Sequence, residues 1–209
     1  MIRTLIVDDH ALVRAGFRKI IEAEIDIRVA GECGNAAEVL RFLRAQECDV
    51  VVLDLDLPGK SGLELLADLQ NLAPAAKVLV QSFHPEEQYA VRMLKAGASG
   101  YITKEAAADE LVKAIREVYH GGKYVSRKVA QLLAFDLEKT EKLPHEGLSD
   151  REFQLLRLIG SGKTVGEISE ILSLSINTVN TYRKRLLEKM KMKSNAELMY
   201  YAIKHDLVT

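Results

Sequence analysis

Asp8, Asp9, Asp54, Ser82 and Lys104 are residues whose types, taken together, could handle a phosphoryl group. Three carboxylates brought close repel one another unless a hard cation joins them. Mg2+ suits such a set, because it accepts one or two carboxylates, a backbone carbonyl and waters and keeps room for a phosphoryl oxygen. A carboxylate held there beside a lysine is equipped to accept a phosphoryl group, with the positive charges taking up the charge that develops in transfer.

The chemistry requires elements that gather these residues. Short β-branched and aliphatic runs at 3–8, 27–32, 49–54, 77–82 and 99–102 read as five strands, and their near-continuous apolar character fits parallel strands covered on both faces. Amphipathic stretches at 11–24, 35–46, 62–72, 86–97 and 106–119 alternate with them as helices. Five βα repeats predict a doubly wound α/β domain of flavodoxin-like type. In the strand order 2-1-3-4-5, strands one and three meet at the switch point, so Asp8, Asp9 and Asp54 converge there. Ser82 ends strand four and Lys104 lies just past strand five, aimed at the same spot. One acid at a strand end reads as a solvated turn residue; the set reads as a site.

Beyond residue 122 the rhythm changes. Gly121-Gly122 ends a helix, 126–137 could form one isolated helix, and 138–147 is charged and carries Pro144 and Gly147. From 148 on the pattern is helical only. Ser149 with Glu152 forms a capping box that opens the run Phe153, Leu155, Leu156, Leu158, Ile159, which stops at Gly160-Ser161-Gly162. A short helix follows at 165–172. Ser175 then caps a longer one to about Met190, and Ser194, with Glu197 three on, caps another to about His205. The tight Ser173-Leu174 turn makes two of these a helix-turn-helix. The expected organisation is an α/β domain over 1–122, a linker with a short helix over 123–147, and a smaller all-α domain over 148–209.

The formal net charge of −1 hides opposed halves. Residues 1–122 hold 14 basic against 19 acidic residues, and 148–209 hold 10 against 7. Within 175–193, Arg183, Lys184, Arg185, Lys189, Lys191 and Lys193 face only Glu188. A basic run on the second helix of a helix-turn-helix points to double-stranded DNA. Cys33 and Cys48 are too few for a disulfide framework or a four-cysteine metal site, and the five histidines have no ligand spacing, so they read as surface or loop residues. The apolar runs are too short for a membrane helix and Met1-Ile2-Arg3 leads straight into a strand, which predicts a soluble cytoplasmic protein. Gly160-Ser161-Gly162-Lys163-Thr164 mimics a phosphate-binding loop but has Arg157 where the first glycine belongs and follows a helix; Gly59-Lys60-Ser61 fails likewise, with Asp54 at that place.

Asp8-Asp9, Asp54 followed by Leu57-Pro58-Gly59, Ser82, and Tyr101-Ile102-Thr103-Lys104 together resemble the receiver domain of two-component response regulators. The resemblance implies that Asp54 is phosphorylated by a histidine kinase, that Asp8, Asp9, Asp54 and the backbone carbonyl of Asp56 hold Mg2+, and that Lys104 bridges to the phosphate. Ser82 and Tyr101 would be the switch pair: the hydroxyl moves to the phosphoryl oxygen and the ring turns inward, remodelling the face formed by helix four and strand five. Ser82 stands where threonine is more frequent, Phe83 where a small residue is common, and Glu105 where proline is usual. Asp56 and His84 occupy two variable positions that tune phosphoryl lifetime. Asp54-Leu55-Asp56 also resembles the opening of haloacid-dehalogenase-type phosphatases, but there the motif ends the first strand and a threonine or valine follows.

The last 62 residues resemble the LuxR-type helix-turn-helix of the NarL/FixJ subfamily, through Leu148-Ser149-Asp150-Arg151-Glu152, Gly162, Glu167-Ile168-Ser169, and Leu174-Ser175-Ile176-Asn177-Thr178-Val179. A recognition helix from about Ser175 would set Asn180, Thr181 and Lys184 at base edges and Thr178, Tyr182, Arg183, Arg185 and Lys189 at phosphates. The implied protein is a phosphorylation-controlled transcriptional regulator, not an enzyme acting on a separate substrate, that dimerises when phosphorylated and binds promoter half-sites. Three rival readings stand beside it: a constitutive DNA-binding protein with a silent receiver, a phosphatase using Asp54, and control through the receiver's protein contacts with DNA incidental.

Overall fold

The structure is a computed structural model that describes residues 1–58, 60–106, 108–138 and 143–208, with backbone alone at 88 and 136–138. Gly59 and the linker residues 139–142 lie outside the described set. Contacts divide the chain into two units, Met1–Lys139 and Thr140–Thr209.

The first unit alternates β1 (Ile2–Val7), α1 (Ala11–Glu22), β2 (Ile27–Cys33), α2 (Ala36–Ala45), β3 (Val50–Asp54), α3 (Gly62–Leu72), β4 (Lys77–Ser82), α4 (Glu86–Lys95), β5 (Gly100–Thr103) and α5 (Ala108–Tyr119), followed by α6 (Arg127–Glu138). The five strands form one sheet in the order β2-β1-β3-β4-β5, parallel throughout. This is the doubly wound flavodoxin-like architecture that the sequence predicts. Every residue of β3 is buried, as a central parallel strand covered on both faces requires. Ile6, Val50, Val52 and Leu79 pack with Ile115 and Val118 of α5 into one core layer. The pairing of β1 with β3 ends at Val7↔Leu53, so Asp8 and Asp9 stand one and two residues beyond the ladder rather than inside the strand. Asp8 still donates its N–H to the Cys33 carbonyl at 3.1 Å, which fixes its backbone.

The second unit holds a 3-10 turn (Pro144–Gly147), α7 (Asp150–Gly160), α8 (Val165–Ile171), α9 (Ile176–Met190) and α10 (Asn195–Lys204). Their limits follow local chemistry. Ser149, Thr164, Ser175 and Ser194 each accept the N–H three residues on, and Ser149–Glu152 and Thr164–Glu167 close full capping boxes. Gly162 takes φ +79°, beyond the end of α7, while Lys163 N–H bonds the Leu158 carbonyl; only a residue without a Cβ enters that turn freely. The phosphate-loop look-alike is thus a helix stop followed by a helix cap. Phe153, Leu156, Ile168, Val179, Leu186, Met190, Leu198 and Ala202 form the buried interior. Leu198, Tyr201 and Ala202 are buried inside this unit, whereas Tyr200 and Ile203 are exposed.

Candidate functional site

At the carboxyl ends of β1, β3 and β5 the structure brings Asp8, Asp54 and Lys104 into one ionic cluster. Lys104 Nζ lies 2.7 Å from Asp54 Oδ2 and 2.7 Å from Asp8 Oδ2, and all three side chains are almost fully buried. Burial pushes the Asp54 carboxyl above its ordinary value against the pull of Lys104, and Asp8 adds to the push. For Lys104, burial favours losing the proton, but the bonds to Asp54 and Asp8 overcome it and hold the ammonium more firmly than usual. The cluster sets two carboxyl groups against one ammonium. Asp9, on the exposed side, brings a third carboxylate: ligand atoms of Asp8, Asp9, His10 and Asp54 all lie within 4.8 Å of one another.

Main-chain and neighbouring groups fix each oxygen. Asp56 N–H donates to Asp54 Oδ1 at 3.2 Å, while His10 N–H donates to Asp8 Oδ1 at 2.8 Å. Arg14 donates to the Asp8 carbonyl at 2.7 Å, clamping the turn after β1. His10 Nδ1 sits 2.7 Å from Asp9 Oδ1. Sequence reasoning missed His10 and Arg14. His10's adjacency to the acidic pair was the available signal; Arg14 gave none, since its reach to Asp8 depends on how α1 leaves the strand.

Ser82 ends β4 as expected, fully buried, with Oγ accepting the His84 N–H at 3.1 Å. The Tyr101 ring points inward, and its hydroxyl donates to the His84 carbonyl at 2.9 Å. Burial raises the energy of its phenolate and holds the phenol proton on. His84 thus touches both residues of the expected switch pair. Its ring stacks on Tyr89 at 4.4 Å and its Nε2 meets Asp56 Oδ1 at 2.9 Å, which joins the two variable positions across the pocket mouth. Phe83 is exposed, with Lys104 Nζ 5.2 Å from its ring centre.

In the second unit, the residues expected at DNA lie on α9 and its cap. Ser175 accepts the Thr178 N–H at 3.1 Å and starts the helix. Asn180, Thr181, Lys184 and Arg185 are exposed, Thr178 and Tyr182 half-exposed, and Asn177, Thr178, Thr181, Tyr182 and Arg185 line one shallow groove. Asn177, which sequence reasoning left out, shares that groove. Two expected phosphate contacts also have partners within the unit: Arg183 Nε donates to Asn195 Oδ1 at 2.6 Å, and Lys189 Nζ to the buried Glu152 at 2.7 Å.

A parallel sheet with an acid cluster and lysine at its carboxyl edge, joined to a capped helix-turn-helix, defines a response regulator with a DNA-binding output domain. Residues 4–116 match the response regulator receiver domain and residues 146–202 match the bacterial regulatory proteins of the luxR family. The chain belongs to the response regulator family, in its NarL/FixJ branch. It is 41% identical over 210 residues to response regulator UvrY of Escherichia coli O6:H1, covering 99% of this chain and 96% of that protein. To response regulator GacA of Pseudomonas aeruginosa it is 38% identical over 210 residues, covering 100% and 98%. Among solved structures, RcsB of Salmonella enterica serovar Typhimurium bound to promoter P1flhDC with the phosphomimetic BeF3- is 26% identical, with TM-score 0.64 and coverage of 96% and 97%. A LuxR-family response regulator from Aurantimonas is 36% identical, with TM-score 0.61 and coverage of 66% and 99%.

Proposed function

We propose that Asp54 accepts a phosphoryl group from a histidine kinase, or from a small phosphodonor, and that the modified receiver favours a homodimer that binds promoter half-sites. The observation that carries this reading is the buried Lys104 ammonium shared by Asp8 and Asp54. In the transfer, an Asp54 carboxylate oxygen forms a bond to phosphorus as the donor's P–N or P–O bond breaks, and the leaving group departs with the electron pair. The Asp56 N–H holds one Asp54 oxygen in place, and Lys104 is positioned to follow the phosphoryl oxygens.

The three carboxyl groups fit Mg2+, which takes hard oxygen ligands, and they outnumber the one Lys104 ammonium beside them. Asp8, Asp9, Asp54 and the backbone carbonyl of Asp56 would hold it. When bound, the ion would neutralise charge on the carboxylates and the incoming phosphoryl group. Ser82 would turn its hydroxyl from the His84 amide toward the phosphoryl oxygen, and Tyr101 would hold its ring inward under the shifted β4–α4 loop. Hydrolysis of the Asp54 acyl phosphate by the chain itself would reset the state. Residues 1–122 act as receiver, 123–147 as linker and 148–209 as DNA-binding domain, working in the cytoplasm; among the described residues no helix is long and apolar enough to cross a membrane.

On DNA, α9 would enter the major groove with Asn180, Thr181 and Lys184 at base edges, and Ser175, Thr178, Tyr182, Arg183, Arg185 and Lys189 along the backbone. The test is intact mass after incubation with a phosphodonor and Mg2+. One phosphoryl adduct is expected, lost in Asp54→Asn; no adduct, or an adduct that survives the substitution, overturns the reading. Equal duplex affinity with and without phosphodonor would favour the constitutive DNA-binding reading.

A further inference from the structure

His10 stands at the rim of the acid cluster with a ring nitrogen turned toward it, and phosphoryl transfer to Asp54 gives that nitrogen no task. Both of its main-chain groups are committed: the N–H donates to Asp8 Oδ1 at 2.8 Å, and the carbonyl accepts the Arg14 N–H at 3.1 Å. These bonds fix the residue where β1 turns into α1. The ring then sets Nδ1 2.7 Å from Asp9 Oδ1 and 3.3 Å from Asp8 Oδ1. Among the described residues, the His10 side chain makes no capping bond to α1, and the buried Asp8 Oδ2 accepts no hydrogen bond, being met by Lys104 as an ion pair. The site thus pairs a buried carboxylate oxygen of unused capacity with an imidazole nitrogen that already shares the carboxylates a divalent cation would take.

The donors differ in what they discriminate. The carboxylates attract every divalent cation and the Lys104 ammonium opposes every one, so these groups act on charge. An imidazole nitrogen acts on ligand type. Mg2+ prefers oxygen ligands and keeps its waters, whereas first-row transition cations gain from imidazole, which is the commonest side-chain ligand for them. Ligand atoms of Asp8, Asp9, His10 and Asp54 within 4.8 Å of one another form a mixed set of oxygens and one nitrogen, and the nitrogen is what separates Mg2+ from a transition cation of the same charge.

We propose that His10 Nδ1 is a further ligand at the receiver's cation site and makes that site select a first-row transition cation over Mg2+; the proposal rests on the phosphoacceptor reading above for the task the cation serves. It is tested by calorimetric titration of the full chain with Co2+ and with Mg2+ at one pH, the quantity read being the ratio of the two dissociation constants. The parent chain is expected to bind Co2+ about tenfold or more tightly than Mg2+, with Mg2+ competing for the same site. His10→Gln keeps a hydrogen-bond donor beside Asp9 and removes the imidazole, and the preference for Co2+ is expected to fall about tenfold, as it should in His10→Ala. The visible spectrum of bound Co2+ should shift between the parent and His10→Gln as a nitrogen ligand is lost. Asp9→Asn should weaken both cations, which sets this site apart from Co2+ held by another histidine. A Co2+ preference unchanged in His10→Gln would show that His10 only orients Asp9 and would overturn the proposal; so would Co2+ binding that survives Asp9→Asn intact. Intact mass after phosphoramidate and Mg2+ is read on the parent chain in parallel. Absence of the adduct there would overturn the phosphoacceptor reading and leave the cation preference standing.

Discussion

With Lys104 replaced by methionine, Asp8 and Asp54 would face each other in a buried site with no positive charge between them. Removing one partner from a buried ionic group costs roughly 3 kcal/mol or more, so urea unfolding of Lys104→Met should show a loss of that order at neutral pH. Phosphoryl uptake, read by mass, should slow as well, because the charge on the phosphoryl oxygens would lose its nearest fixed cation. The buried thiols set a pH dependence. Burial pushes Cys33 and Cys48 up to about 11, above the ordinary thiol value, so at high pH the unfolded chain gives up protons that the folded chain keeps. Stability is thus present at pH 8 and lost as pH rises toward about 11. Urea midpoints should fall over that range, less so in Cys48→Val; a flat profile would contradict the assignment. Asp8, Asp9, Asp54, Ser82 and Lys104 were legible because strand periodicity assigns each to the carboxyl edge of a parallel sheet. The His84 contacts with Asp56 and Tyr101 were not, since they join loops 28 and 17 residues apart in sequence.

Helix ends are where local chemistry can be checked against stability. Gly162 sits at φ +79°, and a β-branched residue there pays about 1–2 kcal/mol in left-handed strain. Gly162→Val should lower the unfolding temperature of the helical unit, with Gly162→Asn closer to the parent; equal melting would show that the turn relaxes. Ser149→Ala removes the acceptor of the Glu152 N–H and should cost about 1 kcal/mol in the same unit. That cap, Ser175 and the Gly160-Ser161-Gly162 stop could be read directly, because capping depends on residues three or four apart. The pairing of Tyr124 with the β5 edge could not: residues 123–126 carry no strand pattern, and their place follows from an open sheet edge left by β5.

Across the whole molecule the charge is divided rather than small. The acidic residues concentrate in the unit that gathers the Asp8, Asp9 and Asp54 carboxylates, and the basic excess lies along α9, so duplex affinity should fall steeply with salt as phosphate contacts release counterions. Arg185→Ala should weaken binding across sequences and reduce the salt slope by about one, whereas Asn180→Ala should relax preference at particular base pairs. Binding that is insensitive to salt would argue that duplex DNA is not the partner of this helix.

The sequence by itself determined the period of each element, the caps that bound the helices, the parallel architecture and the acids at its edge, since these follow from backbone geometry and neighbours a few residues away. Tertiary structure decided which groups share a charge. Lys104 reaches Asp54 across 50 positions and Lys189 reaches Glu152 across 37, so a basic residue that reads as a free phosphate contact also braces its own domain. It decided too that residues 123–129 pack on α4 and the β5 edge, because only the assembled sheet leaves an unpaired strand for Tyr124 to meet.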